Sequence, residues 1–163
     1  MLFGTKYLRT RLSAMMFMQF FVWAAWWVAV ATYGVKGLMF SGTQGAMLMG
    51  TTALGAIFAP LFVGPVADRL FPTQWVLCFL HVVGGLALVT AGFQSHFQWL
   101  YACLLVNTFS FMPTLALANS LTFRNIDNPD KFPRIMVFGT IGWICASLVV
   151  GVVLGETNPW LFF

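Results

Sequence analysis

Residues 12–35 read LSAMMFMQFFVWAAWWVAVATYGV and contain no Asp, Glu, Lys or Arg. A helix that crosses a bilayer needs about 20 mostly apolar residues. A charge at its centre costs about 2.5–3.5 kcal/mol on insertion scales. This run meets both conditions, and its single Gln and its tryptophans do not break it. Three more charge-free runs follow, Gly37–Ala67, Leu70–Phe123 and Ile135–Gly155. By length they hold one, two and one further crossings. Only 7% of the 163 residues are charged and 60% are hydrophobic, where a soluble domain carries about 25% charge. The chain reads as an all-α polytopic membrane protein.

The formal net charge is +4, but its distribution points to a bilayer and not to nucleic acid. Lys6, Arg9 and Arg11 precede the first span, Arg69 follows the second, and Arg124, Lys131 and Arg134 lie between the fourth and fifth. Lys36 alone falls in a loop on the opposite side. Cytoplasmic loops carry the excess of Lys and Arg, so residues 1–11 are expected to be a cytoplasmic N-terminal segment. Ala29-Val30-Ala31 resembles a signal-peptide cleavage site, yet the apolar stretch before it exceeds the usual ~7–15 residues and more spans follow. Residues 12–163 are expected to form part of a six-helix bundle, with helices over about 12–35, 43–66, 73–93, 99–121 and 135–154. Pro113 lies inside the fourth. The start of a sixth helix is expected at 159–163. Because the chain stops where that span begins, it reads as a truncation or as a portion of a longer protein.

No carboxylate is expected inside a span. His81 is the titratable group deepest in one, about 12 Å along its helix from Thr73 at 1.5 Å per residue. Two readings stand: a neutral histidine bonded to a facing helix, or a proton-sensitive group. The three cysteines, Cys78, Cys103 and Cys145, show no paired or metal-type spacing and read as packing residues. No His, Cys and carboxylate combination suits a metal, a cofactor or a nucleophile, so the residues give no ground for an enzyme.

Uncharged polar and aromatic side chains form stripes at helical spacing. Gln19, Trp23, Trp26 and Tyr33 lie on the first helix. Asn107, Ser110 or Phe111, and Thr114 lie on the fourth, and Met136, Thr140, Trp143 and Ser147 on the fifth. Amides and hydroxyls beside tryptophan faces suit an uncharged, flat, hydrogen-bonding ligand. Interhelical hydrogen bonding and interfacial tryptophans would place the same residue types there.

At the second inner connection, GPVADRLFPTQW (64–75) is similar to the start of the inner-loop signature of the major facilitator superfamily, G-x-L-A-D-R-x-G-R-[RK], without its second half. QFFVWAAW (19–26), ADRLFPTQWVLCFLHVVGG (67–85), LLVNTFSFMPTLALANSL (104–121) and FGTIGW (138–143) resemble the nucleoside:proton symporter family, the bacterial nucleoside permeases. The resemblance covers residues 15–155. It implies a twelve-helix fold of which this chain holds five helices and the start of the sixth. It also implies nucleoside uptake with a proton, by alternating access, across a bacterial inner membrane. The remaining helices of the same transporter would carry the coupling carboxylates, so the fragment alone is not expected to transport.

In the family pattern F-P-x-I-R-x-W-G-T-I-G-[FW], Thr140 matches the threonine and Trp143 the aromatic position, both substrate contacts, with help expected from Gln19, Trp23 and Asn107. Met136 stands at the arginine position. Arg134 does not replace it, since at about 100° per residue it lies about 240° around the helix from Thr140, against about 40° for Met136. Arg134 reads instead as an inner-surface anchor. Gly64, Asp68 and Arg69 carry over as an inner-side gate, since a carboxylate can bond a facing helix N-terminus. A carrier for another polar metabolite such as a sugar, and a non-transporting membrane remnant or scaffold, remain alternatives.

Overall fold

The computed structural model describes residues 5–69 and 71–163, and the side chains of all of these except 5, 6, 60, 62 and 64–69. In hydrocarbon no water satisfies backbone N–H and C=O groups, so spanning segments close their hydrogen bonds within themselves as helices. The described chain follows that rule. It forms α1 (Thr5–Trp27), α2 (Val30–Thr32), α3 (Gly42–Arg69), α4 (Thr73–Ala91), α5 (Phe97–Asn125) and α6 (Phe132–Leu148). A turn at residues 28–29 and a π-type turn over Tyr33–Gly37 extend α1 and α2 into one 31-residue span, Tyr7–Gly37. A π-type turn over Val149–Leu154 lengthens α6, and Gly155 ends it at φ +81°. Among the described residues, four helices are long and apolar enough to cross a membrane by length and composition.

Local chemistry sets several boundaries. Ser41 and Gln44 bond each other's backbone N–H reciprocally, at 3.2 and 2.9 Å, ahead of α3. That capping box satisfies two donors a helix start leaves open. Asn128 and Asn158 accept from the backbone N–H two residues on, at 2.8 and 3.0 Å. Each thereby opens a 3-10 turn whose first residue is proline. The second of these turns, Pro159–Phe162, is where a sixth helix was expected to start.

The helices α5 and α4 pack together, α3 packs on the other side of α5, and α6 lies along α1. The helix α5 is the interior element, with 56% of its apolar window buried against 22% for α4 and for α6. Two glycines set the closest approaches. A Cβ at Gly142 of α6 would stand 2.3 Å from the Phe17 carbonyl oxygen, and one at Gly55 of α3 would stand 2.7 Å from that of Thr108. Small residues let backbones approach where lipid supplies no hydrophobic force between helices.

Three buried hydroxyls are satisfied within their own helices, while that of Thr52 has no partner. Thr51 donates to Leu48 O, Thr108 to Leu105 O and Thr122 to Ala118 O, at 2.7–3.1 Å. The outer surface is the reverse of a soluble protein's, since Ile57, Leu61, Phe79, Leu86, Val137 and Val152 are all exposed. An apolar exterior over long helices makes this an integral membrane protein.

The two ends of the bundle differ in charge. Arg9 shares one end with Asp127 and Lys131. At the other end Gly37 approaches Thr157, Gly92 approaches Phe163 and Tyr33 stacks edge-on to Phe162. Lys36 belongs to this second end.

Candidate functional site

Trp23 sits on α1 at a spacing that turns it toward α6 and α5 together. Its ring centroid is 5.1 Å from that of Trp143, with the planes perpendicular, and 6.2 Å from that of Phe111. One turn further on, Trp27 lies 5.7 Å from Trp143 and 6.3 Å from Trp23. Edge-to-face pairs of this kind are worth about 0.5–1.5 kcal/mol beyond their buried area. Three indoles and a phenyl ring from three helices therefore form one aromatic wall. The indole nitrogens of Trp23 and Trp27 are buried and have no hydrogen-bond acceptor. A buried, unpaired donor is uncommon and costly, and it suits a wall that receives an acceptor-bearing ligand.

Thr140 precedes Trp143 on the same helix by about one turn and is exposed. Ser147 continues the stripe and bonds back to Trp143 O at 2.9 Å. Met136 is half-buried against the cluster of Leu12, Met16, Ala118 and Ile135. Arg134 lies elsewhere, lining a cavity of about 740 Å³ with Arg9, Ser13, Asp127 and Lys131 at the cationic end. The residues of one short segment thus divide between two environments.

Asn107 is 2% exposed, its Nδ2 donates to Gly84 O of α4 at 3.0 Å, and its Oδ1 has no partner. Gln19 is 4% exposed and fully engaged: its Nε2 donates to the Thr114 hydroxyl, and its Oε1 lies 2.9 Å from His81 Nε2. His81 Nδ1 lies 2.8 Å from Leu77 O. Gly64, Asp68 and Arg69 fall in the last turns of α3, and their side chains lie outside the described residues.

The structure therefore brings Trp23, Trp143 and Phe111 together and engages Gln19, one turn from Trp23, in a polar network with Thr114 and His81 that borders Phe111. Trp26 and Tyr33, read onto the Trp23 stripe, are buried in the apolar core instead, 1% and 4% exposed. Trp27 was missed, although its four-residue spacing from Trp23 was a readable signal. Among the described residues, no three His, Cys, Asp or Glu side chains converge as a metal would require.

The rings of Trp23, Trp143 and Phe111 line the interior of a helical membrane bundle. Residues 7–158 match the family model described as nucleoside H+ symporter, and the chain belongs to that family, one of transporters and not of enzymes. YegT of Escherichia coli (strain K12), whose nucleoside-transporter assignment is itself provisional, is 39% identical over 86% of this chain. The xanthosine permease of the same strain is 32% identical over 86%, and its nucleoside permease NupG is 30% identical over 88%. The fold superposes on the crystal structure of nucleoside transporter NupG with a TM-score of 0.88, and on a mutant form of it with 0.91, covering 95% of this chain at 29% identity. The chain spans about a third of the length of these curated relatives, 33–35%, and 40% of the NupG structure.

Proposed function

We propose that the full-length gene product takes up nucleosides together with protons across a bacterial inner membrane, by alternating access. The observation that carries this reading is the aromatic wall of Trp23, Trp27, Trp143 and Phe111 with two unpaired indole donors. A nucleobase is flat, uncharged and rich in acceptors, and such a wall offers stacking together with donors. Family membership supports the same substrate class and the proton. Five crossings and the start of a sixth would form one portion of a twelve-helix major-facilitator-type fold. Its N-terminus would lie in the cytoplasm, because Arg9, Lys131 and Arg134 gather at one end and cations favour that side. Thr140 and Trp143 would contact substrate with Trp23 and Asn107, and Gly64, Asp68 and Arg69 would close the inner side.

A second reading, a carrier of another polar metabolite such as a sugar, is favoured by one observation. Met136, at the position where the family pattern has arginine, is held against Leu12 and Met16 and brings no donor to the site. Uptake of labelled uridine by the full-length product, in cells lacking their own permeases, separates the two. Uptake abolished by a protonophore is expected. Uptake that survives it unchanged would remove the proton, and no uptake of any nucleoside would remove the substrate class.

A further inference from the structure

Both ring nitrogens of His81 face oxygen acceptors. Nδ1 lies 2.8 Å from Leu77 O, and Nε2 lies 2.9 Å from the side-chain carbonyl oxygen of Gln19. The Gln19 amide in turn donates to Thr114, whose hydroxyl donates to Phe111 O at 2.6 Å. Carbonyl oxygens only accept, so with the Gln19 amide turned this way both ring nitrogens would have to donate, as they do in the imidazolium.

A neutral ring carries one N–H. With that proton on Nδ1, the Nε2 lone pair needs a donor, and the donor at hand is the Gln19 amide turned by half a rotation. Its oxygen then faces Thr114, whose hydroxyl must leave Phe111 O and donate to it. The two amide orientations are isosteric and are distinguished by their hydrogen bonds. The chain from His81 through Gln19 to Thr114 therefore has two self-consistent patterns, one for each charge state.

We propose that His81 is a proton-binding site and that Gln19 and Thr114 switch their hydrogen-bond direction with its charge, a role that rests on the proton-coupled reading above. One proton adds to the Nε2 lone pair and leaves by the reverse step, with no other bond changed. The site is built into three helices, since His81 is on α4, Gln19 on α1 and Thr114, fully buried, on α5. It borders a cleft between α1 and α4 lined by Met15, Gln74 and Cys78, whose other end receives the turn Pro159–Phe162.

Among the described residues, few charges lie near the ring. From α4 itself Cys78 is the titratable neighbour in the cleft. On α1, Arg9 and Arg11 lie eight or more residues from Gln19, and on α5 Arg124 lies ten from Thr114, about 12–15 Å along the axes. The turn Pro159–Phe162 brings no charge, and the side chains of Asp68 and Arg69 on α3 lie outside the described residues.

A route to the aromatic wall is present. The Phe111 ring stands 6.0 Å from His81 and 6.2 Å from Trp23, and Trp23 stands 5.1 Å from Trp143. The imidazole thus adjoins Phe111, a ring of the aromatic wall itself.

Tryptophan fluorescence of the purified full-length protein, without nucleoside, tests this between about pH 5 and 8, where histidines change charge. A sigmoidal transition is expected, lost in His81→Gln and kept in His96→Gln, the histidine that precedes α5. Gln19→Glu places a carboxylate on Nε2 and is expected to move the transition upward by about one unit or more, as an opposite charge favours the protonated ring. A wild-type signal flat with pH, a transition that survives His81→Gln, or no shift in Gln19→Glu overturns the proposal. An intact transition in a protein that takes up no nucleoside leaves the proton site standing and removes the transport reading alone.

Discussion

Trp143 of α6 stands edge-on to Trp23 of α1, with ring centroids 5.1 Å apart and planes at 90°. Two helices distant in sequence thereby share one aromatic face, and Trp27 and Phe111 extend it. Several consequences can be measured on the full-length product.

Trp143→Ala removes the ring that joins the two helices. We expect the nucleoside KM to rise by up to about tenfold, the equivalent of 1.4 kcal/mol, with Trp143→Phe close to wild type. Concentration dependence of uptake reads both. An alanine variant with unchanged KM would show that the wall is packing only.

Met136 and Arg134 differ in the face they occupy. Met136→Arg is expected to change nucleoside affinity, because position 136 shares its stripe with Thr140 and Trp143. Arg134→Ala is expected to leave KM nearly unchanged, since Arg134 lines the cationic cavity with Arg9 and Lys131. The opposite pair of results would mean that the substrate face of α6 has been assigned to the wrong side.

Gly142 tests the contact between α6 and α1. Its Cβ would meet the Phe17 backbone at 2.3 Å, and backbone cannot yield as a flexible side chain does. Gly142→Ala is expected to destabilise by about 1–3 kcal/mol, the usual range for overpacking. Gly151→Ala, with nothing within 4 Å, is expected to leave thermal unfolding unchanged. Unfolding in detergent followed by circular dichroism compares them, and equal melting temperatures would refute the close approach.

Asn107 separates a structural bond from a binding one. Its Nδ2–Gly84 O bond is of the interhelical kind that averages about 0.6 kcal/mol, so Asn107→Leu is expected to cost little stability. Its unpartnered Oδ1 is expected to matter to substrate, with KM rising about tenfold. A KM that moves no more than stability does would assign Asn107 to packing alone.

Helical spacing makes part of this arrangement legible, and the rest has specific physical reasons. The pairing of Trp143 with Trp23 was foreshadowed by placing both on ligand-facing stripes. Trp26 was placed there too, yet it is buried in the core. On a helix Trp23 and Trp26 lie only about 60° apart, and that angle straddles the boundary between wall and core. Tyr33, seven residues past Trp26, lies within about 20° of it on a helix and is buried in the same core. Gln19 shares the spacing of the Trp23 stripe, and its bonds to Thr114 and His81 join positions 95 and 62 residues apart. No local spacing records such a pairing.

The apolar spans and the cationic bias of one end can be read from the amino-acid order alone. Hydrocarbon thickness and the cost of a buried charge act on each segment separately, so a local reading suffices. Only the tertiary structure decided which polar groups engage one another and which stay unpaired. That depends on the rotation of each helix about its axis and on where glycines such as Gly142 let backbones meet. In lipid those choices rest on side-chain packing and hydrogen bonds between helices, which no single segment contains.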